Sequence, residues 1–373
     1  MQPGISVSLD AGVVRTELPM ADARTIRYYD TAGQVRTARD QRPPDDQPPI
    51  GQMRLDLLTD EWIAIAAHRQ GRIFLPPKEL CPLCPTHGDL LSEIPDRDYE
   101  VVVFDNRFPS LKEPGPEWQL PTNQGTDTPI PDAAGICEVV CFTSDHSTSF
   151  GQLEENQMRT VMEAWRDRTR ALSQLDFVEH IFPFENRGEE IGVTLAHPHG
   201  QIYAYSFLPP RPKKMLDSAT AYFEKYQRVL LDDVIARELQ DEIRIIASNQ
   251  HWIAFVPFAA RYPFEIHVAP RNSVPDLAAL TSEVADAFPS IAKEVLLRLD
   301  GVFNMPMAYI AAWHQAPVKV GRDVLRLHWQ ITSIRRAPGK LKYLAGSESA
   351  MGAFIMDMKP EQSAAQLREV VLS

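Results

Sequence analysis

The sequence has no long apolar run, no signal-like start and no excess of positive charge. No stretch approaches the ~18 uninterrupted apolar residues of a membrane span, and residues 1–10 lack the basic and then apolar pattern of a signal peptide. The 38 basic and 50 acidic side chains give a net charge of −12, which argues against a general binder of nucleic acids or anionic membranes. We expect a cytoplasmic protein that meets any anionic substrate with local positive charge.

Cysteine is also scarce, because the 373 residues contain only Cys81, Cys84, Cys137 and Cys141. Four are too few for a disulfide scaffold, so a metal is favoured over a bridge. The C-x-x-C spacing of Cys81 and Cys84 is typical of a zinc half-site, and His146 and His197 would complete a closed tetrahedral Cys2His2 set. A redox role is less favoured because no thioredoxin-like βαβ pattern surrounds the pair. The other two cysteines are typical of a buried strand face.

The composition is that of a folded globular protein. Apolar residues make up 44% and charged residues 24% of the chain, which excludes wholesale disorder. At about 150 residues per domain, the length predicts about two domains with a sizeable core. Segment 39–52 carries four prolines among charges, which predicts an extended surface segment. We therefore expect residues 1–52 to form an N-terminal extended arm, with the globular part starting near Met53.

Two periodicities predict the secondary structure. Runs rich in β-branched and aromatic residues predict strands at 60–66, 99–104, 138–143, 178–184, 201–207, 243–247, 252–257, 265–269, 307–313 and 324–334. Apolar residues at helical spacing predict helices at 158–172, 216–239, 274–299 with a kink at Pro289, and 361–371. We expect the second of these helices to bury one stripe in the core, namely Ala219, Tyr222, Phe223, Tyr226, Leu230 and Val234.

The two halves of the chain are similar to each other. EVVVFDNRFPSL (100–111) is similar to HWIAFVPFAARYPF (251–264), since each is a strand that ends at an aromatic-proline corner and precedes a helix. HPHGQIYAY (197–205) is similar to RLHWQITSI (326–334), and this pairing matches His199 with His328 and Gln201 with Gln330. We favour duplication of one antiparallel α+β unit over a chance similarity of two such units.

The segment HPHGQ (197–201) carries the most chemical information. In an extended chain, residues two apart point to the same face, so His197, His199 and Gln201 can converge. FENRG (184–188) and Gly192-Val-Thr194 precede it, and their backbone NH groups and small hydroxyls suit a phosphate. Two surface histidines beside a turn are the alternative, which the neighbouring zinc half-site makes less favoured.

Several further segments occur in an order that identifies a family. They are LLTDEWIAIAAHRQGR (57–72), CPLC (81–84), VFDNRFPSL (103–111), CFTSDHS (141–147), FENRG (184–188), PFEIHVAP (263–270), AWHQAP (312–317) and KYLAGSE (342–348). With HPHGQ they resemble the galactose-1-phosphate uridylyltransferases, a branch of the histidine-triad superfamily, from about Met53 to the C-terminus. The resemblance implies an α+β fold with two histidine-triad-like units, 53–214 and 215–373, that form one duplicated catalytic body.

The resemblance also implies an activity in galactose metabolism. In this family a histidine attacks the α-phosphorus of UDP-glucose, glucose-1-phosphate leaves, and galactose-1-phosphate takes the uridylyl group in a ping-pong reaction. The matching nucleophile is His199, and Gln201 would hydrogen-bond the phosphoryl oxygens. Neutral imidazole suits this role because it is a good nucleophile near pH 7 and its phosphoramidate remains reactive.

The family's ligand and substrate positions map onto this sequence residue by residue. Its metal ligands match Cys81, Cys84, His146 and His197, which implies a structural zinc. Arg69 and Arg72 match arginines that face the phosphates, and Phe104 and Asn106 match the uridine-binding strand. Asn186 and Thr194 would hold nonbridging oxygens, with Glu185 beside them in the same substrate-binding segment. The hexose-contacting segment places Lys342 and Glu348 across a homodimer, in the partner's site.

Two departures from the family pattern affect what can be transferred. Phe354 stands where classical members have a glutamine that helps hold the hexose, which leaves the sugar open. Some members bind a second, iron-like metal through a glutamate and three histidines. His314 and His328 match two of these histidines, but Gln330 occupies the third position and no glutamate is convincing. We expect that second site to be weak or absent.

Two other functions remain open at the sequence level. An ADP-glucose or dinucleoside-polyphosphate phosphorylase would use the same histidine and let inorganic phosphate accept the nucleotide. A zinc-stapled nucleotide-binding module without catalysis is a second alternative. It is less favoured because His199, Gln201, Asn186 and the two matched arginines are all present.

Overall fold

A twelve-stranded antiparallel sheet forms the centre of the molecule. The computed structural model describes residues 5–31, 33–44, 48–71 and 75–372. Within these residues the strands of the sheet follow the order β1-β2-β3-β6-β7-β9-β8-β13-β14-β12-β11-β10, and two small hairpins, β4-β5 and β15-β16, stand apart from it. None of the described helices is both long and apolar enough to cross a lipid bilayer.

The elements have the following bounds. The strands are β1 Ile5–Ser8, β2 Val13–Pro19, β3 Thr25–Thr31, β4 Gln52–Asp56, β5 Glu61–Ile65, β6 Val101–Asp105, β7 Gly135–Cys141, β8 His180–Arg187, β9 His199–Tyr205, β10 Ile245–Ser248, β11 Trp252–Phe255, β12 Phe264–Pro270, β13 Tyr309–His314, β14 His328–Ser333, β15 Arg335–Ala337 and β16 Lys340–Leu341. The α-helices are α1 Glu155–Leu172, α2 Pro210–Tyr226, α3 Leu230–Asp241, α4 Ser282–Asp286, α5 Phe288–Gly301, α6 Gly346–Met351 and α7 Pro360–Glu369. Short 3₁₀ turns include Ala67–Gly71, Lys78–Leu80 and Glu189–Ile191.

The strand order confirms the predicted duplicated α+β fold. On one side of the β8–β13 pair the order outward is β8-β9-β7-β6, and on the other side it is β13-β14-β12-β11. Each unit has two strands, a helix (α1 or α5) and two further strands in the same chain order. The last strand of the two units begins at His199 and at His328, so these histidines occupy equivalent positions.

One face of the sheet is covered by helices, and the other face carries the site residues. Along β9 buried residues alternate with partly exposed ones, so Gly200, Ile202 and Ala204 face the helices while His199 and Gln201 face away. Helix α1 packs on the covered face, where Trp165 contacts Trp313 with ring centroids 5.9 Å apart. The Arg168 guanidinium of α1 donates to the buried Glu138 carboxylate of β7 at 2.7 Å. The fold therefore fixes the strand that carries HPHGQ from behind.

The prediction of an extended N-terminal arm over 1–52 is wrong for residues 5–31. These residues form β1, β2 and β3, and β3 pairs with β6, so they extend the central sheet. In β3 the buried Ile26 and Tyr28 alternate with the partly exposed Thr25 and Arg27, which is a strand pattern, while β2 buries only Val13 and Thr16. The composition of the nearby proline-rich stretch does not reveal this pattern. Segments 33–44 and 48–51 contain no strand or helix, as the prolines predict.

The predicted single helix over 216–239 is also wrong, because two helices form there. Helix α2 ends at Tyr226 because the next residue, Gln227, is left-handed with a φ of 54°, and α3 starts at Leu230. Of the stripe predicted to be core, only Ala219 is buried. Tyr222 and Tyr226 pack on each other, with ring centroids 4.5 Å apart, and the Tyr222 hydroxyl donates to Asp233 of α3. The stripe thus joins the two helices instead of facing the sheet.

Gly200 provides a test of how tightly the sheet holds the site. A Cβ atom there would lie 2.7 Å from the Phe184 carbonyl oxygen and 2.8 Å from the buried Phe142 ring. Gly200→Ala should therefore shift β9, lower the free energy of unfolding by ~1–3 kcal/mol and reduce turnover on the order of 100-fold by displacing His199. Urea unfolding and steady-state rates measure the two effects. Gly115→Ala, where a Cβ meets nothing within 4 Å, is the control; equal behaviour of both variants would contradict the expectation.

Candidate active site

His199 is held in one tautomer by its own strand. Its Nδ1 lies 2.7 Å from the His197 carbonyl oxygen, which can only accept a hydrogen bond, so Nδ1 carries the proton. The Nε2 lone pair is then left for another partner. Burial lowers the pKa of His199, which favours the neutral imidazole at neutral pH. The ring is therefore presented as a neutral base or nucleophile.

Two cavities meet at His199. The larger is a cleft of about 1080 Å³ that reaches across the first unit to Arg335, and the smaller has a volume of about 120 Å³ beside β6 and β9. His199 lines both cavities, as does Leu195. A group bound at the junction can therefore extend in two directions from the imidazole.

The smaller cavity gathers the residues that the sequence assigns to the nucleotide. Phe104 forms part of its wall and is 2% exposed, so it serves both the core and the cavity. The other predicted residues that line it are Arg69, Asn106, Thr194 and Gln201. The Asn106 side chain accepts a hydrogen bond from the Phe108 backbone NH at 2.9 Å, which fixes the loop after β6. The structure thus brings together five residues from three distant parts of the sequence.

The arginines of HRQGR differ in what the structure shows. Arg69 lies in a 3₁₀ turn and its guanidinium donates to the Phe108 carbonyl oxygen at 3.0 Å and to the Ser110 hydroxyl. These contacts aim the positive charge along the wall of the smaller cavity. Arg72, the second predicted phosphate ligand, lies outside the described residues.

Asn186 lines the larger cleft, on the same sheet face as His199. In β8 it is the residue after Glu185, which pairs with Gly200. The cleft also contains ion pairs that fix its far wall, between Arg187 and Asp300 at 2.8 Å and between Arg335 and Glu190. Its lining thus holds the Asn186 amide and two arginines, each of which is paired with a carboxylate.

Glu185 points away from the predicted phosphate position. It lies on the helix-covered face and is 5% exposed, at the inner margin of the larger cleft. The Tyr309 hydroxyl of the second unit donates to Glu185 Oε2 at 3.0 Å. Burial raises the pKa of Glu185 to about 7, although the nearby Arg187 lowers it. The carboxyl thus joins the two units and is poorly placed to receive a phosphate.

The four predicted metal ligands converge. One donor atom from each of Cys81, Cys84, His146 and His197 lies within 4.8 Å of the others. Cys84 Sγ is 3.3 Å from His146 Nδ1 and 3.5 Å from His197 Nδ1. Tetrahedral zinc, with Zn–S of about 2.3 Å and Zn–N of about 2.0 Å, spaces its ligands by about 3.3–3.8 Å. The set could hold a metal ion of this kind.

Hydrogen bonds behind the cluster prepare His197 as a ligand. Its Nε2 donates to the Thr143 carbonyl oxygen at 2.8 Å and lies 2.8 Å from the Tyr99 hydroxyl oxygen. The Tyr99 hydroxyl itself donates to the Leu83 carbonyl oxygen at 2.9 Å. Because Nε2 carries the proton, Nδ1 presents its lone pair to the thiols. Burial lowers the pKa of His197 to about 4, which also keeps the ring neutral.

Lys342 and Glu348 lie apart from both cavities within the chain. The Lys342 ammonium donates to Glu348 Oε1 at 2.8 Å and to the Ile355 carbonyl oxygen at 2.6 Å. This bond lowers the pKa of Glu348 to about 2. Neither residue lines the two cavities at His199. Phe354, from the same segment, packs on Tyr262 with ring centroids 5.8 Å apart.

The second unit brings His314 and His328 together, as their matched positions predict. Their rings stack with centroids 5.2 Å apart. The amide of Gln330 is engaged on both sides, because Arg211 donates to its oxygen at 2.9 Å and its nitrogen donates to Glu265. His267 also lies here, with its ring centroid 5.1 Å from that of His328. The sequence analysis missed Glu265 and His267 as neighbours because they come from a different strand, β12.

Two charged residues that line the smaller cavity were not predicted from the sequence. Glu93 and Arg107 both line it, and Arg107 Nη1 lies 3.3 Å from Glu93 Oε1. Arg107 follows Asn106 in VFDNRF, so its place in the motif was a usable signal. Glu93 follows the C-x-x-C pair in an irregular loop, where no periodic pattern indicates which side chains point inward.

Fold and site together define a class. The chain is an enzyme of the nucleotidyltransferase class, built on a duplicated antiparallel α+β fold. The sequence models of the family agree with this: galactose-1-phosphate uridyl transferase, N-terminal domain, matches residues 40–209, and the C-terminal domain of the same family matches residues 215–372. The chain belongs to the galactose-1-phosphate uridylyltransferase family.

Individual relatives are similar over nearly their full length. A galactose-1-phosphate uridylyltransferase of Streptomyces lividans is 40% identical over 95% of this chain and 98% of that protein. A solved uridylyltransferase structure is 31% identical with a TM-score of 0.76 and is covered over 98% of its length by 86% of this chain. An ADP-glucose phosphorylase of Arabidopsis thaliana with bound ADP-glucose is 25% identical with a TM-score of 0.66, over 86% of this chain and 99% of its own.

The convergent cysteines and histidines predict coupled loss of metal and stability. Cys81→Ser and His146→Ala should each lower bound metal from about one ion per chain to a small fraction and lower the unfolding midpoint, because metal binding contributes to folding. Elemental analysis and thermal unfolding measure both. Cys137→Ser, a buried cysteine outside the cluster, is the control and should keep its metal. Full metal content in the first two variants would exclude this ligand set.

The buried Glu185 predicts a pH-dependent stability. Its pKa is raised from 4.5 to about 7 in the folded chain, so ionisation between these values costs folded-state stability and the cost is complete above pH 7. Glu185→Gln should therefore raise the free energy of unfolding relative to wild type by ~1–3 kcal/mol at pH 8 and by much less at pH 5. Urea unfolding at both pH values tests this. Glu179→Gln, at an exposed ion pair with Lys319, is the control; a pH-independent difference for Glu185→Gln would contradict the cause given.

Proposed function

We propose that this chain transfers a uridylyl group from UDP-glucose to galactose-1-phosphate through a covalent uridylyl-histidine at His199. The observation that carries the proposal is the bond from His199 Nδ1 to the His197 carbonyl oxygen, which leaves Nε2 at the junction of two cavities. The names of the relatives from several organisms support the substrates. One cavity would hold the uridine and the other would hold each hexose phosphate in turn.

The reaction would run in two displacements. In the first, Nε2 attacks the α-phosphorus of UDP-glucose; the N–P bond forms, and the bond from phosphorus to the bridging oxygen breaks with its electron pair, which releases glucose-1-phosphate. In the second, a phosphate oxygen of galactose-1-phosphate attacks the same phosphorus, and the N–P electron pair returns to Nε2. The His197 carbonyl oxygen, held on Nδ1–H, stabilises the positive charge that the ring gains in the covalent state.

Charge on the phosphoryl oxygens would be met by fixed groups around His199. Gln201 lies two residues after His199 on β9, Asn186 lies on the neighbouring strand β8, and Arg69 and Thr194 stand in the smaller cavity. Because these groups are held by the sheet and by turns that it supports, they need little reorganisation as charge develops. Their role is to position the phosphorus and to stabilise charge, with the imidazole as the only group that forms a bond to it.

The Cys81, Cys84, His146 and His197 cluster fits a zinc ion in a structural role. Zinc bound by four protein ligands supplies a closed tetrahedral cross-link. Those ligands would connect the loop around residues 81–84 and the loop after β7 to the residues just before His199. His197 then has two functions, since its side chain would bind the metal and its carbonyl oxygen orients the nucleophile.

The proposal includes a homodimer in which Lys342 and Glu348 contact the hexose bound to the partner chain. Neither residue lines the cavities of its own chain, and Tyr343 in the segment that follows β16 is 73% exposed; both observations support this placement. The cytoplasm is the proposed location, supported by the four free thiols, which persist in a reducing compartment.

The test is the mass of the intact protein after mixing with UDP-glucose and no acceptor. We expect one uridylyl adduct per chain, an equal amount of released glucose-1-phosphate, and discharge of the adduct on adding galactose-1-phosphate. His199→Ala should form no adduct and fall at least ~10⁴-fold in turnover, because the nucleophile is lost. His251→Ala, at a surface pair with Glu283, is the matched control and should keep wild-type activity.

A parallel reaction with ADP-glucose and inorganic phosphate separates the remaining alternative. An adenylyl adduct that phosphate discharges, with no reaction of UDP-glucose, would replace the transferase with a phosphorylase. Tight UDP binding without any adduct would replace it with a binding module. An adduct that persists in His199→Ala would remove His199 from the mechanism.

A further inference from the structure

A buried carboxylate forms part of the wall of the smaller cavity. Glu93 is 5% exposed and lines the cavity together with Phe104, Gln201 and His199. A negative charge at this position is unfavourable on two counts, because burial removes its hydration and because the ligand proposed for the cavity carries phosphates. The surroundings of Glu93 must therefore supply compensating positive charge.

Most of that positive charge comes from the N-terminal segment. Arg24 Nη2 donates to Glu93 Oε2 at 2.6 Å, and Arg42 Nη1 donates to Glu93 Oε1 at 2.5 Å. Arg107, on the wall itself, is the third guanidinium, at 3.3 Å. Two of the three guanidinium groups on Glu93, those of Arg24 and Arg42, thus precede β4. Among the hydrogen bonds of the described residues, none joins this part of the chain to the HPHGQ motif.

Both N-terminal arginines are fixed in position. Arg24 also bonds Asp22 at 2.7 Å and donates to the Asp105 carbonyl oxygen at 2.8 Å, at the end of the strand that carries Phe104. Arg42 bonds Asp40 at 2.8 Å. Their side chains are only 7% and 15% exposed, so the ion pairs are screened little by solvent.

The N-terminal strands also support the cavity through the sheet. In the β3–β6 pair Ile26 lies opposite Phe104, and the Thr25 backbone NH donates to Asp105 Oδ2 at 3.0 Å. The family's sequence model begins at residue 40, so β1–β3 and Arg24 lie before it. The match to the solved uridylyltransferase takes in 86% of this chain, although it covers 98% of that structure. The match to the Streptomyces protein takes in 95% of this chain.

We propose that Arg24 and Arg42 are positioning residues for nucleotide binding, and that the N-terminal strands are a working part of the nucleotide pocket. They hold the Glu93 carboxylate fixed and neutralised in the pocket wall, so that the wall accepts the nucleotide of UDP-glucose. This inference rests on the proposed function, which assigns the smaller cavity to the nucleotide. Loss of either guanidinium leaves a buried, underpaired carboxylate facing the ligand.

The two half-reactions of a ping-pong enzyme test the inference. Arg24→Gln and Arg42→Gln should lower kcat/KM for UDP-glucose about tenfold or more, because the free nucleotide must be captured by the altered pocket. The kcat/KM for galactose-1-phosphate should change by less than about twofold, because in that half-reaction the uridylyl group is already covalently held. Arg244→Gln, in the second unit with its partner Glu238 at 3.0 Å and side chains only 6% and 2% exposed, is the matched control and should leave both values unchanged.

A double-mutant comparison shows whether the arginines act through Glu93. In a Glu93→Gln background, Arg24→Gln should cost less than about threefold in kcat/KM for UDP-glucose, because no charge remains to be compensated. An undiminished tenfold loss would overturn the proposed route through Glu93. Unchanged kcat/KM for UDP-glucose in both single variants would overturn the inference as a whole.

Two further measurements separate this inference from a purely structural role and from failure of the proposed function. The metal content of Arg24→Gln should equal that of wild type. If the variant instead lost metal and lost both kcat/KM values equally, the inference would be overturned in favour of a purely structural role for the loop of residues 81–94. Calorimetric titration with UDP needs no turnover, and Arg24→Gln should weaken UDP binding about tenfold. If wild type forms no adduct, the proposed function fails, while the titration still decides on the pocket.

Discussion

The hydrogen bond between His199 Nδ1 and the His197 carbonyl oxygen is the constraint on which the site depends. It exists because HPHGQ turns into β9 at His199, with Gly200 allowing β8 and the Phe142 ring to approach closely from behind. His197 is fixed in turn by the Thr143 carbonyl oxygen and by its place in the metal-ligand cluster. A single chain of contacts therefore runs from this cluster through one backbone carbonyl to the tautomer of His199, the proposed nucleophile.

Much of this arrangement is readable from the sequence where local pattern and chemistry coincide. The C-x-x-C pair predicted a metal half-site, and His146 and His197, named as its third and fourth ligands, do converge with it. Strand alternation in HPHGQ put His199 and Gln201 on one face, as found. The similarity of 100–111 to 251–264 predicted a duplicated unit, and the repeated strand order confirms it. Each of these features depends on short sequence distances or on repetition, which a single sequence displays.

The features that were missed depend on contacts between distant parts of the chain. The strands in residues 5–31 were overlooked because the nearby prolines dominated the local composition, although β3 pairs with β6 over a long sequence separation. Glu185 was assigned to the substrate, yet it faces the helices and receives a bond from Tyr309 of the other unit. The stripe on α2 and α3 has helical spacing, but periodicity cannot tell whether a face meets a sheet or a second helix.

The pairing of β8 with β13 makes the two units inseparable as folded bodies. β8 lies between β9 and β13, so a fragment ending before the second unit would expose the backbone NH and carbonyl groups along one side of β8, right beside the catalytic strand. Unpaired strand edges of that kind recruit other chains and promote aggregation. The boundary between the two family domains therefore marks a repeat in the sequence, and we expect the whole twelve-stranded sheet to unfold as one cooperative unit.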